Sequence, residues 1–104
     1  MSFDIGAVLG DMAGAVKNVV SGDSGKVRGY AKTILENERA SLEELAQARL
    51  AGEISEEEFN DEIEREKKVL EAELLTLEIM TKAITQKAVN SAIYVFVKAV
   101  KLAV

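Results

Sequence analysis

The chain has 104 residues, 48% of them hydrophobic and 30% charged, with a formal net charge of −5 and no Pro, Cys, His or Trp. That length supports one domain, and 13 basic against 18 acidic residues leave no positive field to gather nucleic-acid phosphates. Without Cys or His the chain lacks disulfides, thiolate ligands, thiol nucleophiles and the commonest general base and metal ligand, so no catalytic, metal or cofactor residues are assigned and a non-enzymatic protein is expected.

Residues 3–20 place Ile5, Val8, Leu9, Met12, Val16, Val19 and Val20 at three- and four-residue spacings, the pattern of an amphipathic helix. Gly6, Gly10 and Gly14 recur every fourth residue and flank that apolar stripe, a pattern that resembles a glycine zipper. Glycine costs a helix about 0.5–1 kcal/mol relative to Ala, so close approach of another helix is the expected compensation. Gly6, Gly10, Gly14, Met12 and Val16 are therefore the candidate packing residues of this segment. Asp4 and Asp11 interrupt it and no early Lys or Arg precedes it, so it does not read as a secretory signal, and a cytoplasmic protein is expected.

Ser21-Gly22-Asp23-Ser24-Gly25 gathers turn formers into the strongest break in the chain, predicting a hinge over residues 21–25. Gly22-Asp23-Ser24-Gly25 matches the letters around a serine-protease nucleophile, but a triad cannot form without His. Gly25-Lys26 fails as a phosphate loop because Val20 stands where the first Gly is needed and Val27 replaces Ser or Thr.

Residues 26–51 favour helix, with Tyr30, Ile34, Leu35, Leu42, Leu45 and Leu50 as apolar contacts. The capping-box spacing of Ser41 and Glu44 predicts a kink near Ala40. Three signals then coincide: Gly52 as a C-terminal cap, Ser55 with Glu58 as a capping box, and Ile54 with Phe59 at the spacing of a hydrophobic staple. The run from Ala51 to Phe59 resembles the turn of short bacterial helical hairpins such as the SHOCT domain, which implies a hairpin.

After Ser55 there is neither Gly nor Pro, so residues 56–104 are predicted to form one helix roughly 75 Å long at 1.5 Å per residue. Phe59, Ile63, Leu70, Leu74, Leu77, Ile84, Ala88, Val95 and Leu102 run along it close to a seven-residue repeat. A second set, Val69, Leu75, Ile79, Met80, Ala83, Val89, Ile93, Phe96, Val97 and Val100, makes the later half apolar on more than one face. The β-branched and aromatic run at residues 93–97 also fits a short strand, but an unpaired strand has no partner, and helix is the preferred reading.

Residues 54–73 hold nine acids and three bases, net −6, whereas residues 74–104 hold one acid and four bases, net +3. Acids early and lysines late offset the helix macrodipole, and antiparallel pairing of two copies would also oppose unlike charges. Glu57, Asp61 and Glu64 share one helical face, which reads as a solvated surface since no calcium-type loop accompanies them.

The expected structure is a single all-α domain: an N-terminal helix (residues 1–20), a hinge (21–25) and a helical hairpin with a long last helix (26–104), assembling into an oligomeric bundle. The expected function is structural, a module that forms a homo-dimer or tetramer through Leu77, Ile84, Ala88, Val95, Phe96 and Leu102, with no nucleic acid or small-molecule ligand. The alternative is a membrane-surface protein that uses residues 3–20, similar in form to phenol-soluble modulins, together with residues 92–104. Lys82, Lys87, Lys98 and Lys101 interrupt the apolar C-terminal third, so no spanning helix is expected.

Overall fold

The Asp4 carboxylate accepts a hydrogen bond from the Ala7 amide at 3.3 Å and starts the first helix, α1 (Ile5–Val19). In the computed structural model, which describes residues 3–20, 24–78 and 80–104, four more helices follow: α2 (Ser24–Asn37), α3 (Arg39–Leu50), α4 (Glu56–Leu75) and α5 (Lys82–Ala103). The described residues contain no strand, and residues 93–97 lie within α5.

The predicted hinge lies partly outside the described residues. Of its last two positions, Ser24 and Gly25 belong to α2, so the break is shorter than residues 21–25 suggested. The helix over residues 26–51 is interrupted at Glu38 (φ −98°, ψ 6°), two residues before the expected kink. The Glu38 amide reaches back to the carbonyls of Ile34 and Leu35 at 3.3 and 3.1 Å, closing α2 with a tightened turn. Ser41 lies inside α3, so its capping-box spacing with Glu44 does not mark a helix start.

The α3–α4 turn uses the local signals that the sequence carries. Gly52 adopts φ +74°, its amide donates to Arg49 O at 3.2 Å and the Glu53 amide to Ala48 O at 2.9 Å, the two bonds of a Schellman C-terminus. Three residues later the Ser55 hydroxyl accepts from the Glu58 amide and the Glu58 carboxylate accepts from the Ser55 amide, both at 3.1 Å.

The single long helix is corrected: it is two helices, broken between Leu75 and Lys82. Glu78 takes a left-handed φ of +55°, and Thr81 starts α5 by accepting from the Ile84 amide at 3.2 Å. The reason is burial. A straight rod would leave the apolar faces of its later half in water, whereas folding back fits the chain within 41 × 24 × 19 Å with a radius of gyration of 13.3 Å, near the ~13 Å expected for a globular domain of this length.

α5 is covered mainly by α1, which packs along it within the same chain, and by α4. Ile5, Leu9, Met12 and Val16 of α1 join Ile93, Phe96 and Val100 of α5 in one core with Leu42, Phe59, Leu70 and Leu74. Phe96 lies at its centre, its ring edge-on to Phe3 (6.1 Å, 88°) and stacked with Phe59 (6.3 Å, 17°). Thr85, the buried polar side chain of α5, is satisfied by donating to Thr81 O at 2.9 Å.

Candidate functional site: the outer face of α5

A helix covered on two sides keeps a third side in water, and on α5 that side carries Lys87, Asn90, Tyr94, Lys98 and Lys101, three or four residues apart. Tyr94 is 67% exposed, Leu102 64% and Val104 70%, whereas Val95 and Val97 beside them are half-buried. Tyr94 forms a ridge between two grooves. On one side an open groove of about 510 Å³ runs between α1 and α5, lined by Ala15, Asn18, Val19, Lys87, Asn90, Ser91, Tyr94 and Val95. On the other, a groove of about 300 Å³ separates α5 from α4, with Asn60, Ile63, Glu64, Lys67, Tyr94 and Val97 on its walls. At the C-terminal end a smaller hollow of about 140 Å³ lies among Arg49, Glu56, Phe59, Val97, Val100, Lys101 and Val104.

This face mixes aromatic, aliphatic and lysine side chains, with Ser91 and Tyr94 as its hydroxyl groups. Lysines dominate its charge, while the first turn of α4 presents Glu56, Glu57 and Glu58, followed by Asp61. Further along, α4 neutralises part of its own charge through Lys67–Glu64 at 3.1 Å and the Arg65–Glu62 pair. Pairs at such exposed positions are worth little in stability.

Several residues singled out from sequence sit elsewhere than an outward interface requires. Ala88 and Phe96 are wholly buried, packed inside the chain's own core, and a second copy cannot reach them in this fold. Leu77, Ile84 and Val95 are half-buried, and of the six only Leu102 is largely exposed. Met12 and Val16, chosen as packing residues of the first helix and not as interface residues, are buried in the core. A Cβ added at Gly10 or Gly14 would meet nothing within 4 Å, and at Gly6 it would meet Asp4 Oδ1 at 3.4 Å and Arg39 Nη2 at 3.7 Å. Among the described residues, no other helix makes the expected close approach at Gly10 or Gly14, and at Gly6 the Arg39 side chain of α3 is the neighbour.

Of the apolar residues that a membrane-surface reading would use, Ile5, Leu9, Met12, Val16, Ile93, Phe96 and Val100 are buried in the core, whereas Leu102 and Val104 are exposed. No helix among the described residues is long and apolar enough to cross a membrane.

Two features went unnoticed in the sequence. Tyr94 shares a wheel position with Lys87, Lys98 and Lys101, and that company marks an aromatic turned to solvent. The second is a group of carboxyls where the α2–α3 junction meets α4. Glu73 is raised from 4.5 to about 7, first by a hydrogen bond with the Glu38 carboxyl, then by burial and by the charges of Glu38 and Glu66. Glu66 is raised by burial and by Glu38 and Glu62.

No family model, curated protein sequence or solved structure matches the chain.

Proposed function

We propose that the protein is a non-enzymatic interaction module that self-associates through the outer face of α5. The observation that carries this reading is Tyr94, a large aromatic left 67% exposed on a ridge between two grooves. Tyrosine brings a rigid, amphipathic contact surface at small entropic cost, and aromatic anchors that fill pockets dominate interface energetics.

A second copy is the occupant that the charges favour. The lysine-bearing face of α5 complements the acidic start of α4, so an antiparallel arrangement that brings α4 of one subunit to α5 of the other opposes unlike charges at both ends. With two of the six sequence-chosen contacts inside the core, the proposed interface consists of Tyr94, Val95, Leu102 and the surrounding lysines.

Light scattering coupled to size-exclusion chromatography tests this across dilution and ionic strength. The expected result is a dimer that dissociates on dilution, and does so at higher protein concentration when salt is raised, because salt screens the unlike charges. A monomer at every concentration would refute it.

A further inference from the structure

We propose that the hollow where the last turns of α3 and α5 meet the first turn of α4 is a binding site for a small organic carboxylate, an anion whose apolar body is about the size of one ring.

Arg49 of α3 and Lys101 of α5 line this hollow together. Arg49 is half-buried, and a charged side chain is seldom withdrawn from water without a partner of opposite charge. Its Nη1 donates to the Ile54 carbonyl at 3.5 Å, a long bond that leaves the other donors of the guanidinium fork available. Among the described residues neither cation forms an ion pair; the paired carboxylates are those of Glu36, Glu62 and Glu64. Arg49 and Lys101 each stand in the last turn of a helix, where a cation offsets the carbonyl end. That role uses their charge and leaves their hydrogen-bonding capacity open.

The floor beneath these cations is apolar. Phe59 is 3% exposed, Val100 1%, and Val97 is half-buried. Phe59 is held against Phe96 at a ring-centroid distance of 6.3 Å, so the floor is fixed by the core. The hollow measures about 140 Å³. A cavity of about 150 Å³ lined by Leu, Ile and Phe is large enough to bind benzene. Apolar walls with a few polar groups at the edge are the usual composition of a small-ligand site.

Charge and shape select the ligand's head group. A planar guanidinium matches both oxygens of a carboxylate, and a neutral ligand would leave it unfilled. Glu56 is the carboxylate among the described lining residues, so two cations and one anion leave a net +1. A monoanion neutralises that charge, whereas a second carboxylate on the ligand would meet Glu56 as a like charge. Arg49, Phe59 and Lys101 are distant in sequence and come together in the fold, which is why the sequence carries no sign of the site.

The test is an NMR titration of the full chain with sodium benzoate, followed through backbone amide shifts at constant ionic strength and neutral pH. Benzamide, which keeps the ring without the charge, and acetate, which keeps the charge without the ring, are titrated in parallel. Benzoate should give saturable shifts at residues 49 and 97–104 with a millimolar dissociation constant, and neither control should saturate over the same range. Arg49→Gln should weaken benzoate by about tenfold or more, the worth of a hydrogen bond to a charged group. Lys101→Glu, at an exposed position, should weaken it as well and does not depend on the bond that Arg49 makes to the α3–α4 turn. Glu56→Gln should tighten it. Benzoate shifts that never saturate, equal affinity for benzamide or for acetate, or an affinity unchanged in both Arg49→Gln and Lys101→Glu would overturn the proposal.

Discussion

Replacing Phe96 with Ala removes the largest side chain that the fold shields completely, and the consequence depends on what does the shielding. The ring is 0% exposed within a single chain and contacts Phe3 and Phe59 at centroid distances of 6.1 and 6.3 Å. Truncating a buried Phe to Ala costs about 3–5 kcal/mol, which includes the cavity left between the two remaining rings. Against a total stability of about 5–15 kcal/mol, that is a large fraction. In a domain of this size each kcal/mol moves the melting midpoint by about 4–8 °C, so a fall of at least about 12 °C is expected. Urea unfolding followed by far-UV circular dichroism gives the free energy, and it should be run with a dilution series. Because the contact is intramolecular, the loss should be the same at every protein concentration. A loss below about 1 kcal/mol, the size of an ordinary substitution, accompanied by a fall in mass would refute the reasoning and return Phe96 to a subunit interface.

Two smaller perturbations test local features. Ser55→Ala removes the hydroxyl acceptor of the α4 capping box and should cost about 1 kcal/mol in urea unfolding, whereas no measurable loss would mean that the cap is not formed in solution. Gly10→Ala and Gly14→Ala should each stabilise the monomer by about 0.5–1 kcal/mol, since the added methyl meets open space and the helix gains propensity. Destabilisation, or a change of mass, would show that another helix approaches these glycines closely.

The junction at Gly52 to Glu58 was legible in the sequence because its determinants are local. A residue tolerant of positive φ, a hydroxyl acceptor and a carboxylate three positions later fix a turn whatever surrounds it. The apolar face of α1 was legible from its spacing alone. The break between α4 and α5 was not, since neither Gly nor Pro marks it and its left-handed residue is Glu78. Thr81 offered a cap, but a Thr within a helix-favouring run is no boundary by itself; burial of both apolar faces of α5 decides where the chain turns.

The same cause misplaced Ala88 and Phe96. A helix apolar on two faces must be covered twice, and the sequence says so without saying by what. α1 and α4 supply that cover within the chain, leaving Tyr94 and its neighbours on the third side exposed. The carboxyl group was half legible: Glu62, Glu66 and Glu73 recur at helical spacing along α4, whereas Glu38 comes from the α2–α3 break, which the sequence did not mark.

Sedimentation equilibrium of the Tyr94→Glu variant beside wild type tests the α5 interface most directly. Tyr94 is mostly in water in the monomer, so the substitution should leave helicity and the monomer's unfolding midpoint nearly unchanged. At a concentration where wild type is dimeric, the variant should sediment as a monomer. A variant that keeps the wild-type mass would contradict self-association through this face.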